Sequence, residues 1–340
     1  MCQDHYSVDN CGNVSTVNAT YIEPSAKTLL MTGQKIIDIF TQNVTKPYIL
    51  QRLTERCYFF GGGFYTTLFY VGDEGVLLFD PVENQGTNIL KAIKEVTPLP
   101  VTAIVYSHNH ADHICSTPDI LKETSNDVRI IASEATITKM KLLDCKFPTP
   151  TEVVQWPTGA LKFESVTVQL YGFEHAAHTD DASAWLLVEE EVCHCPDLIN
   201  GDQPPFWRFG TAENYVYFQR NVEELGKLAW KHATLGHGNV GSKEDVKFVL
   251  EFLADLDAAV KQAMGAVSFA VVGNMSKYTN HAALMMTWQK AIRDNVMEVL
   301  RPKYGKTYGF EVSTPANIEM VILRMLIIST ELQDIKPQYI

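Results

Sequence analysis

A short polar stretch, residues 107–113, constrains this chain more than any other feature. It reads Ser-His-Asn-His-Ala-Asp-His and directly follows the apolar run 101–106, which predicts a buried strand. Three imidazoles and a carboxylate, all good metal ligands, fall within six consecutive residues, and a hydrophobic core does not select such a pattern. Residues two apart in an extended segment face the same side, so His108 and His110 can bind one ion together.

The same stretch continues toward a second ion. Asp112 and His113 follow His110 closely, which places them about one turn further along the chain. Imidazole and carboxylate together suit zinc first, with manganese and iron as the alternatives. The stretch therefore predicts a metal centre whose remaining ligands come from elsewhere in the chain.

Composition and charge narrow the class of protein. The chain has 340 residues, of which 46% are hydrophobic, so it can bury a large core. Its formal net charge of −12 argues against a nucleic-acid partner, whose backbone attracts basic surfaces. No segment reaches the roughly 18 to 20 uninterrupted apolar residues of a membrane span. A small-molecule substrate is the expected partner.

The N-terminal segment and the cysteines predict a cytoplasmic location. The N-terminal segment is polar and lacks the apolar run of a signal peptide. The seven cysteines are odd in number and scattered, which is typical of reduced thiols and not of a disulfide framework.

The order of elements predicts an α/β arrangement around the polar stretch. Runs rich in β-forming residues occur at 57–60, 66–71 and 76–79, separated by glycine-containing turns. A helix over about 88–96 then leads to the apolar run before the polar stretch. Strand, helix and strand in this order place the chemistry at the carboxyl end of a strand.

We expect three parts in the chain. Residues 1–50 form an N-terminal extension with a helical patch near 25–41, residues 51–250 form the catalytic domain, and residues 251–340 form a helical extension that packs on it. The helices expected in the last part cover about 280–300 and 314–333. The apolar C-terminal helices also suggest a homodimer, although packing against the core explains them equally well.

Three further motifs become informative beside the polar stretch. Asp80 ends a predicted strand, His178 begins His-Thr-Asp-Asp-Ala-Ser, and His237 stands between two glycines. Together with the His-x-His-x-Asp-His loop, these motifs make the chain resemble the metallo-β-lactamase superfamily of dinuclear metallohydrolases over about residues 56–250. The resemblance implies an α/β fold, the αββα sandwich, here with an extra N-terminal arm and C-terminal helices.

The resemblance also implies two sets of metal ligands for two zinc ions. The sets are His108, His110 and His178 for one ion, and Asp112, His113 and His237 for the other. Asp80 would support the metal loop from behind. His175, three residues before His178, is an alternative ligand, and Cys115 is better explained as a small packing residue.

A carboxylate that bridges the two ions has two candidates. Asp202 follows Gly201 in the Gly-Asp pair that the family usually shows, but the apolar run before it is poor. Asp197 ends a better strand, at the more usual separation from His178, with Pro196 in place of glycine. We prefer Asp197, and Asp202 then becomes a loop residue near the substrate entrance.

The implied reaction is hydrolysis. Two ions about 3.5–4 Å apart would share a water, lower its pKa toward about 7 and direct the resulting hydroxide at an electrophile. Asp112 would orient this hydroxide or collect its proton, besides binding metal. The fold does not determine which bond is cleaved, because the superfamily spans lactams, lactones, thioesters, sulfate esters and oxygen reduction at iron sites.

An aromatic loop at 204–209 is the main indication of the substrate. Phe206, Trp207 and Phe209 could line an apolar pocket for a small neutral ring, although core packing explains them as well. The leading hypothesis is hydrolysis of a cyclic amide or ester, a lactam (for example of the benzoxazolinone type) or a lactone, in intracellular detoxification. The alternatives are a sulfatase, a thioesterase of the glyoxalase II type, and an iron-dependent oxidoreductase of the same fold.

Overall fold

Two β-sheets lie face to face and carry helices on both outer surfaces. The computed structural model describes residues 15–124, 127–273 and 280–327. In this part of the chain, one hydrophobic cluster fills the space between the sheets, and two others join the outer faces of the sheets to their helices. The arrangement confirms the αββα sandwich that the sequence predicts, and further helices follow it.

Seven strands form the first sheet. They are β3 (Ile49–Arg52), β4 (Cys57–Gly62), β5 (Tyr65–Val71), β6 (Val76–Phe79), β7 (Val101–Tyr106), β8 (Arg129–Ser133) and β9 (Glu152–Val154), in that spatial order. Pairing is antiparallel from β3 to β6 and parallel from β6 to β9. Since parallel strands end at the same edge, Asp80 after β6 and Ser107 after β7 lie side by side.

Five strands form the second sheet. They are β10 (Thr158–Phe163), β11 (Val166–Gly172), β12 (Ser183–Leu187), β13 (Val192–His194) and β14 (His232–Thr234), again in spatial order. The first four pair antiparallel, and β13 pairs parallel with β14. A separate parallel pair joins β1 (Thr20–Ile22) to β2 (Gln34–Ile36) in the N-terminal arm.

The helices cover the outer faces of the two sheets. They are α1 (Ile39–Thr45), α2 (Gly86–Val96), α3 (Ala111–Ile114), α4 (Thr117–Lys122), α5 (Glu134–Leu142), α6 (Arg208–Thr211), α7 (Phe218–Lys227), α8 (Lys243–Ala266), α9 (Phe269–Gly273), α10 (His281–Tyr304) and α11 (Phe310–Ile327). Apolar residues of α2 and α4 pack on the first sheet, and those of α7 and α8 share a cluster with the second sheet. Helices α10 and α11 extend this cluster by packing on α8 and on each other.

Large apolar side chains close the space between the sheets. Phe59, Tyr70 and Phe79 from the first sheet meet Val168 and Trp185 from the second, and all five are at most 1% exposed. Burying one such side chain stabilises the fold by about 1.5–3 kcal/mol. The core therefore holds the strand ends that carry the polar stretch in fixed positions.

The N-terminal arm differs from its prediction. The helical patch expected near 25–41 is wrong, because residues 34–36 form β2 and the following helix begins only at Ile39. Lys35 is buried there, and its Nζ donates hydrogen bonds to Asp245 Oδ2 and to the carbonyl of Val240, both at 2.8 Å. This buried ion pair joins the arm to the start of α8.

The C-terminal helices begin close to their predicted positions. The two expected over 280–300 and 314–333 correspond to α10 and α11, and residues 328–333 lie outside the described part of the chain. Helix α8 continues across residue 250, where the catalytic domain was expected to end. Its apolar face shares one cluster with α10, α11 and the second sheet.

Five cysteines lie within the described residues. Cys57, Cys115, Cys145, Cys193 and Cys195 are free thiols. Burial raises the pKa of Cys193 to about 12, so this thiol is held in its neutral form. Within the described ranges, no helix combines the length and the apolar character that a membrane span needs.

Candidate metal centre

The polar stretch begins where β7 ends and is attached to the neighbouring strand. Asp80 follows β6, and its carboxylate accepts hydrogen bonds from the backbone N–H of Ser107 at 2.8 Å and from the Ser107 hydroxyl at 2.5 Å. Ser107 Oγ lies 2.8 Å from His108 Nδ1. Because one ring nitrogen is occupied in this way, His108 presents Nε2 to the other side of the loop.

Seven side chains converge at this edge of the sandwich. One cluster is His108, His110, His178 and Asp197, and the other is Asp112, His113 and His237. Within each cluster, one potential ligand atom per residue lies within 4.8 Å of the others. The structure thus brings together all seven residues that the sequence suggests as metal ligands.

Asp197 lies between the two clusters. Its Oδ2 is 2.9 Å from His113 Nε2 and 3.3 Å from His178 Nε2, and its Oδ1 is 3.2 Å from His237 Nε2. Its backbone is left-handed, with φ of 66°. Of the two aspartates considered from the sequence, this is the one that contacts histidines of both sets.

Asp202 occupies a different environment. Its Oδ1 accepts hydrogen bonds from the hydroxyls of Ser15 and of Tyr21, the latter at 2.9 Å, and its N–H donates to Asp245. It lines a cavity of about 340 Å³ together with Phe40, and that lining contains none of the clustered residues. The structure therefore gives no support to Asp202 as a residue of the substrate entrance.

Glycine is needed beside Asp197. Gly236 has a φ of +81°, a conformation that other residues rarely adopt, and a Cβ there would lie 2.7 Å from Asp197 Oδ1 and 3.1 Å from the ring of His113. Its carbonyl accepts the N–H of Thr66 at 2.7 Å. The Gly-His-Gly motif thus lets the chain turn directly beside the carboxylate and deliver His237.

The two clusters contain buried nitrogen and oxygen atoms that are suited to coordinating metal ions. His108 Nε2, His113 Nε2 and Asp197 Oδ1 are buried. Although His113 Nε2 and Asp197 Oδ1 have close ionic neighbours, none of the three atoms makes a well-aligned hydrogen bond within the described residues. Leaving such atoms unpaired costs free energy, and metal coordination removes that cost. His237 Nδ1 lies 2.6 Å from the carbonyl of Phe64 and donates to it, so Nε2 is the atom left for a metal.

The electrostatics favour neutral His108 and His110 and an ionised Asp197, whereas His113 is favoured in its protonated form beside the carboxylates. Burial and the neighbouring histidines lower the pKa of His108 well below its usual value, and they lower that of His110 to about 4. Burial opposes charge on Asp197, but His113 and His237 lower its pKa. Burial likewise opposes charge on His113, yet the Asp197 and Asp80 carboxylates raise its pKa. Neutral imidazole and carboxylate are the forms that bind metals.

Two other candidates lie outside the clusters. His175 is exposed and its ring stacks on Tyr217 with 4.9 Å between centroids, so it is not placed to replace His178. Cys115 ends the short helix α3 and is partly buried, in keeping with a packing role.

The aromatic loop faces the centre only in part. The ring of Phe206 stacks on that of His237, with 6.3 Å between centroids and 15° between planes, and the side chain is 47% exposed. Trp207 is 44% exposed, with Arg208 over its ring at 4.8 Å. The assignment of Phe209 to the substrate wall is wrong, because its side chain is 1% exposed and packs on Tyr215 in the core.

Sequence reasoning missed two buried supports of the centre. Asp181 Oδ2 accepts the N–H of Asn109 at 2.7 Å, and this bond ties the loop after His178 to the polar stretch. His194 Nε2 lies 2.9 Å from Asp80 Oδ2. Asp181 could have been noticed because it is the second Asp of the His-Thr-Asp-Asp motif. His194, in contrast, looked like one more residue of an alternating strand.

The fold and the clusters together define a class of protein: an αββα sandwich with two clusters of potential metal ligands at the edge of its sheets. The model of the metallo-beta-lactamase superfamily matches residues 60–254. The chain therefore belongs to the metallo-beta-lactamase superfamily. A comparison with curated protein sequences gave no match.

Solved structures agree on the fold. A metallo-beta-lactamase from Pontibacter korlensis superposes with a TM-score of 0.52 at 17% identity, covering 61% of this chain and 99% of that one. The metallo-beta-lactamase IND-7 gives a TM-score of 0.52 at 20% identity, covering 62% of this chain and 99% of the other. At such identities the likeness concerns the fold alone.

Proposed function

We propose that this protein is a hydrolase with two zinc ions that opens a small cyclic amide or ester, a lactam or a lactone. The observation that carries the proposal is the position of Asp197, whose carboxylate contacts His178 of one cluster and both His113 and His237 of the other. A carboxylate in this position can be shared by two cations, as in hydrolytic sites with two metals. Zinc is the proposed metal because neutral imidazoles and carboxylates suit it.

The chain's own groups would divide the remaining work. When bound, the ions would supply an activated water and stabilise negative charge. Asp112 has a side chain 39% exposed, against 7% for Asp197, so it is the clustered carboxylate that a water or a substrate can reach. We assign to Asp112 the orientation of the water and the uptake of its proton. Asp80 would keep His113 and the metal loop in place.

Exposed aromatic side chains around His237 support a ring-shaped substrate. Phe206 stacks on the His237 imidazole, Tyr65 lies 5.1 Å from the same ring, and Phe64, whose carbonyl holds His237, is 75% exposed. Flat apolar rings bind well between such groups. The net charge of −12 disfavours polyanionic substrates. A lactam of the benzoxazolinone type meets both conditions, and its opening in the cytoplasm would be a detoxification.

The test is a substrate panel with zinc-loaded protein. Benzoxazolinone-type lactams, other small lactams and aliphatic lactones are incubated with protein that contains measured zinc, and ring opening is followed by ultraviolet absorbance and mass spectrometry. We expect opening of at least one lactam or lactone and its loss in Asp112→Asn. The control is Asp119→Asn, because Asp119 is an exposed aspartate on α4 that belongs to neither cluster. Absence of ring opening across the panel would overturn the proposal.

The same panel separates the other reactions of the superfamily. Aryl sulfates and glutathione thioesters are included, with release of sulfate and of free thiol as the readouts. Elemental analysis gives the metal: zinc supports a hydrolase, and iron together with consumption of oxygen supports an oxidoreductase. Release of sulfate or thiol without any ring opening, or iron together with consumption of oxygen, would contradict lactam or lactone hydrolysis.

A further inference from the structure

The C-terminal helix α11 forms hydrogen bonds to the aromatic loop at residues 205 and 209. Asn317 is fully buried on this helix. Its Nδ2 donates a hydrogen bond to the carbonyl of Pro205 at 2.8 Å, and its Oδ1 accepts the backbone N–H of Phe209 at 3.0 Å. One amide thus fixes the first and the last residue of the segment 205–209, from which Phe206 and Trp207 project.

The segment needs such a support because its end has an unfavourable backbone. Arg208, Phe209, Gly210 and Thr211 all have positive φ, between 52° and 67°. Residues other than glycine avoid this left-handed region, and three of the four are not glycine. A conformation of this kind persists only where the surrounding structure holds it.

The turn is connected directly to the metal centre. Gly210 passes so close to the backbone of Asp197 that a Cβ there would lie 2.7 Å from the Asp197 carbonyl oxygen. Four residues earlier, Phe206 stacks on His237. The position of the loop therefore decides where an aromatic ring stands beside the metal ligands.

The inner face of α11 carries a second polar residue that serves as a comparison. Thr314 is also fully buried, one turn before Asn317, and its hydroxyl has no hydrogen-bond partner within the described chain. A substitution of Thr314 by valine changes the buried face of the helix without removing a bond to the loop. Asn317, in contrast, uses both the oxygen and the nitrogen of its amide for hydrogen bonds to the loop. A residue that only packed the helix would not need these two bonds.

We propose that Asn317 is a positioning residue: it fixes Phe206 over His237 and so sets how tightly a ring-shaped substrate binds. This rests on the proposed function, since the ring substrate comes from there. Residue 317 lies beyond the matched region 60–254, so the substrate site of this protein includes a helix outside the family domain. The substrate class concerned is a neutral, flat lactam or lactone.

The test compares Asn317→Ala with Thr314→Val in the full chain. Trypsin reports on the loop without any substrate, because Arg208 is exposed within it. We expect cleavage after Arg208, followed by mass spectrometry, to become about tenfold faster in N317A and to stay at the wild-type rate in T314V. Zinc content should remain that of the wild type in both. If N317A does not fold, Asn317→Asp replaces it, since it keeps the oxygen that faces Phe209 N–H.

Kinetics with the ring substrate provide the second readout. We expect N317A to raise KM about tenfold with kcat changed less than about threefold, the pattern of lost substrate binding. Phe206→Ala should do the same, and the double variant should show no further increase, because Asn317 acts through Phe206. Unchanged cleavage after Arg208, an equal effect of T314V, or additive effects would each overturn the proposal. If the wild type opens no lactam or lactone, the proposed function fails, while the cleavage rates still decide on Asn317 as support of the loop.

Discussion

His194 Nε2 donates a hydrogen bond to Asp80 Oδ2 across 2.9 Å, and both side chains are fully buried. The other ring nitrogen, Nδ1, lies 2.7 Å from Thr234 Oγ1 and accepts the hydroxyl proton, which fixes the tautomer of His194. Asp80 Oδ2 in turn lies 3.4 Å from His113 Nδ1. A line of contacts thus runs from the second sheet through Asp80 to a candidate metal ligand.

Removal of His194 should therefore weaken metal binding. His194→Leu deletes the donor to Asp80, so the carboxylate holds His113 and Ser107 less firmly. Partners behind a metal ligand typically change affinity by about 10–100-fold, and we expect a loss of zinc affinity in that range, measured by competition with a chromogenic chelator. His175→Leu, at the exposed histidine stacked on Tyr217, is the control and should bind zinc like the wild type. Equal affinities of H194L and H175L would contradict this role.

The position of Asp197 between histidines of both clusters makes a sharper prediction about two aspartates. Asp197→Asn keeps the shape of the side chain but removes the charge that faces both clusters, so zinc content should fall below two ions per chain and hydrolysis by at least about 100-fold. Asp202→Asn keeps an oxygen for Tyr21 and lies outside the clusters, so its zinc content should equal that of the wild type. Elemental analysis after dialysis gives both values. Loss of zinc in D202N with retention in D197N would reverse the assignment.

Four of the seven clustered residues could be predicted from the sequence directly, because these four are local. His108 to His113 follow one buried strand, and no other use explains three histidines and an aspartate in so short a stretch. The more distant residues His178, Asp197 and His237 came from the family resemblance and not from spacing. The sequence of a single chain does not show which distant residues lie close together in the fold.

The supports of the centre were harder to predict, for a physical reason. Asp181, His194 and Asn317 act through one or two hydrogen bonds to elements that are far apart in the sequence. Phe209 is the opposite case, a residue that was assigned to the site and lies in the core. Its aromatic neighbours suggested a pocket wall, but the left-handed turn after Trp207 directs its ring into the core, and no pattern of hydrophobicity predicts such a turn.

The N-terminal arm should depend on its buried ion pair. The side chains of Lys35 and Asp245 are only 1% and 2% exposed, so Lys35→Met leaves a buried carboxylate without its partner. Such a loss typically costs about 3–5 kcal/mol, and urea unfolding should show a decrease of that order. Lys247→Met is the matched control, because Lys247 pairs with Glu244 on the same helix with side chains 71% and 56% exposed. Its effect should stay within about 0.5 kcal/mol. Similar losses in both variants would contradict the argument.

Acid should destabilise the protein partly through His232. Burial, and to a smaller extent Lys231, lowers the pKa of His232 in β14 to about 4, below the usual 6.5. Between these two values the unfolded chain binds the proton that the folded protein excludes, so stability is retained above pH 6.5 and lost as the pH falls toward 4. A shift of this size corresponds to about 3–4 kcal/mol. We expect His232→Gln to lose less unfolding free energy than the wild type between pH 7 and pH 4.5 in urea titrations. The exposed His175→Gln should lose as much as the wild type, and equal losses in all three proteins would show that His232 contributes nothing.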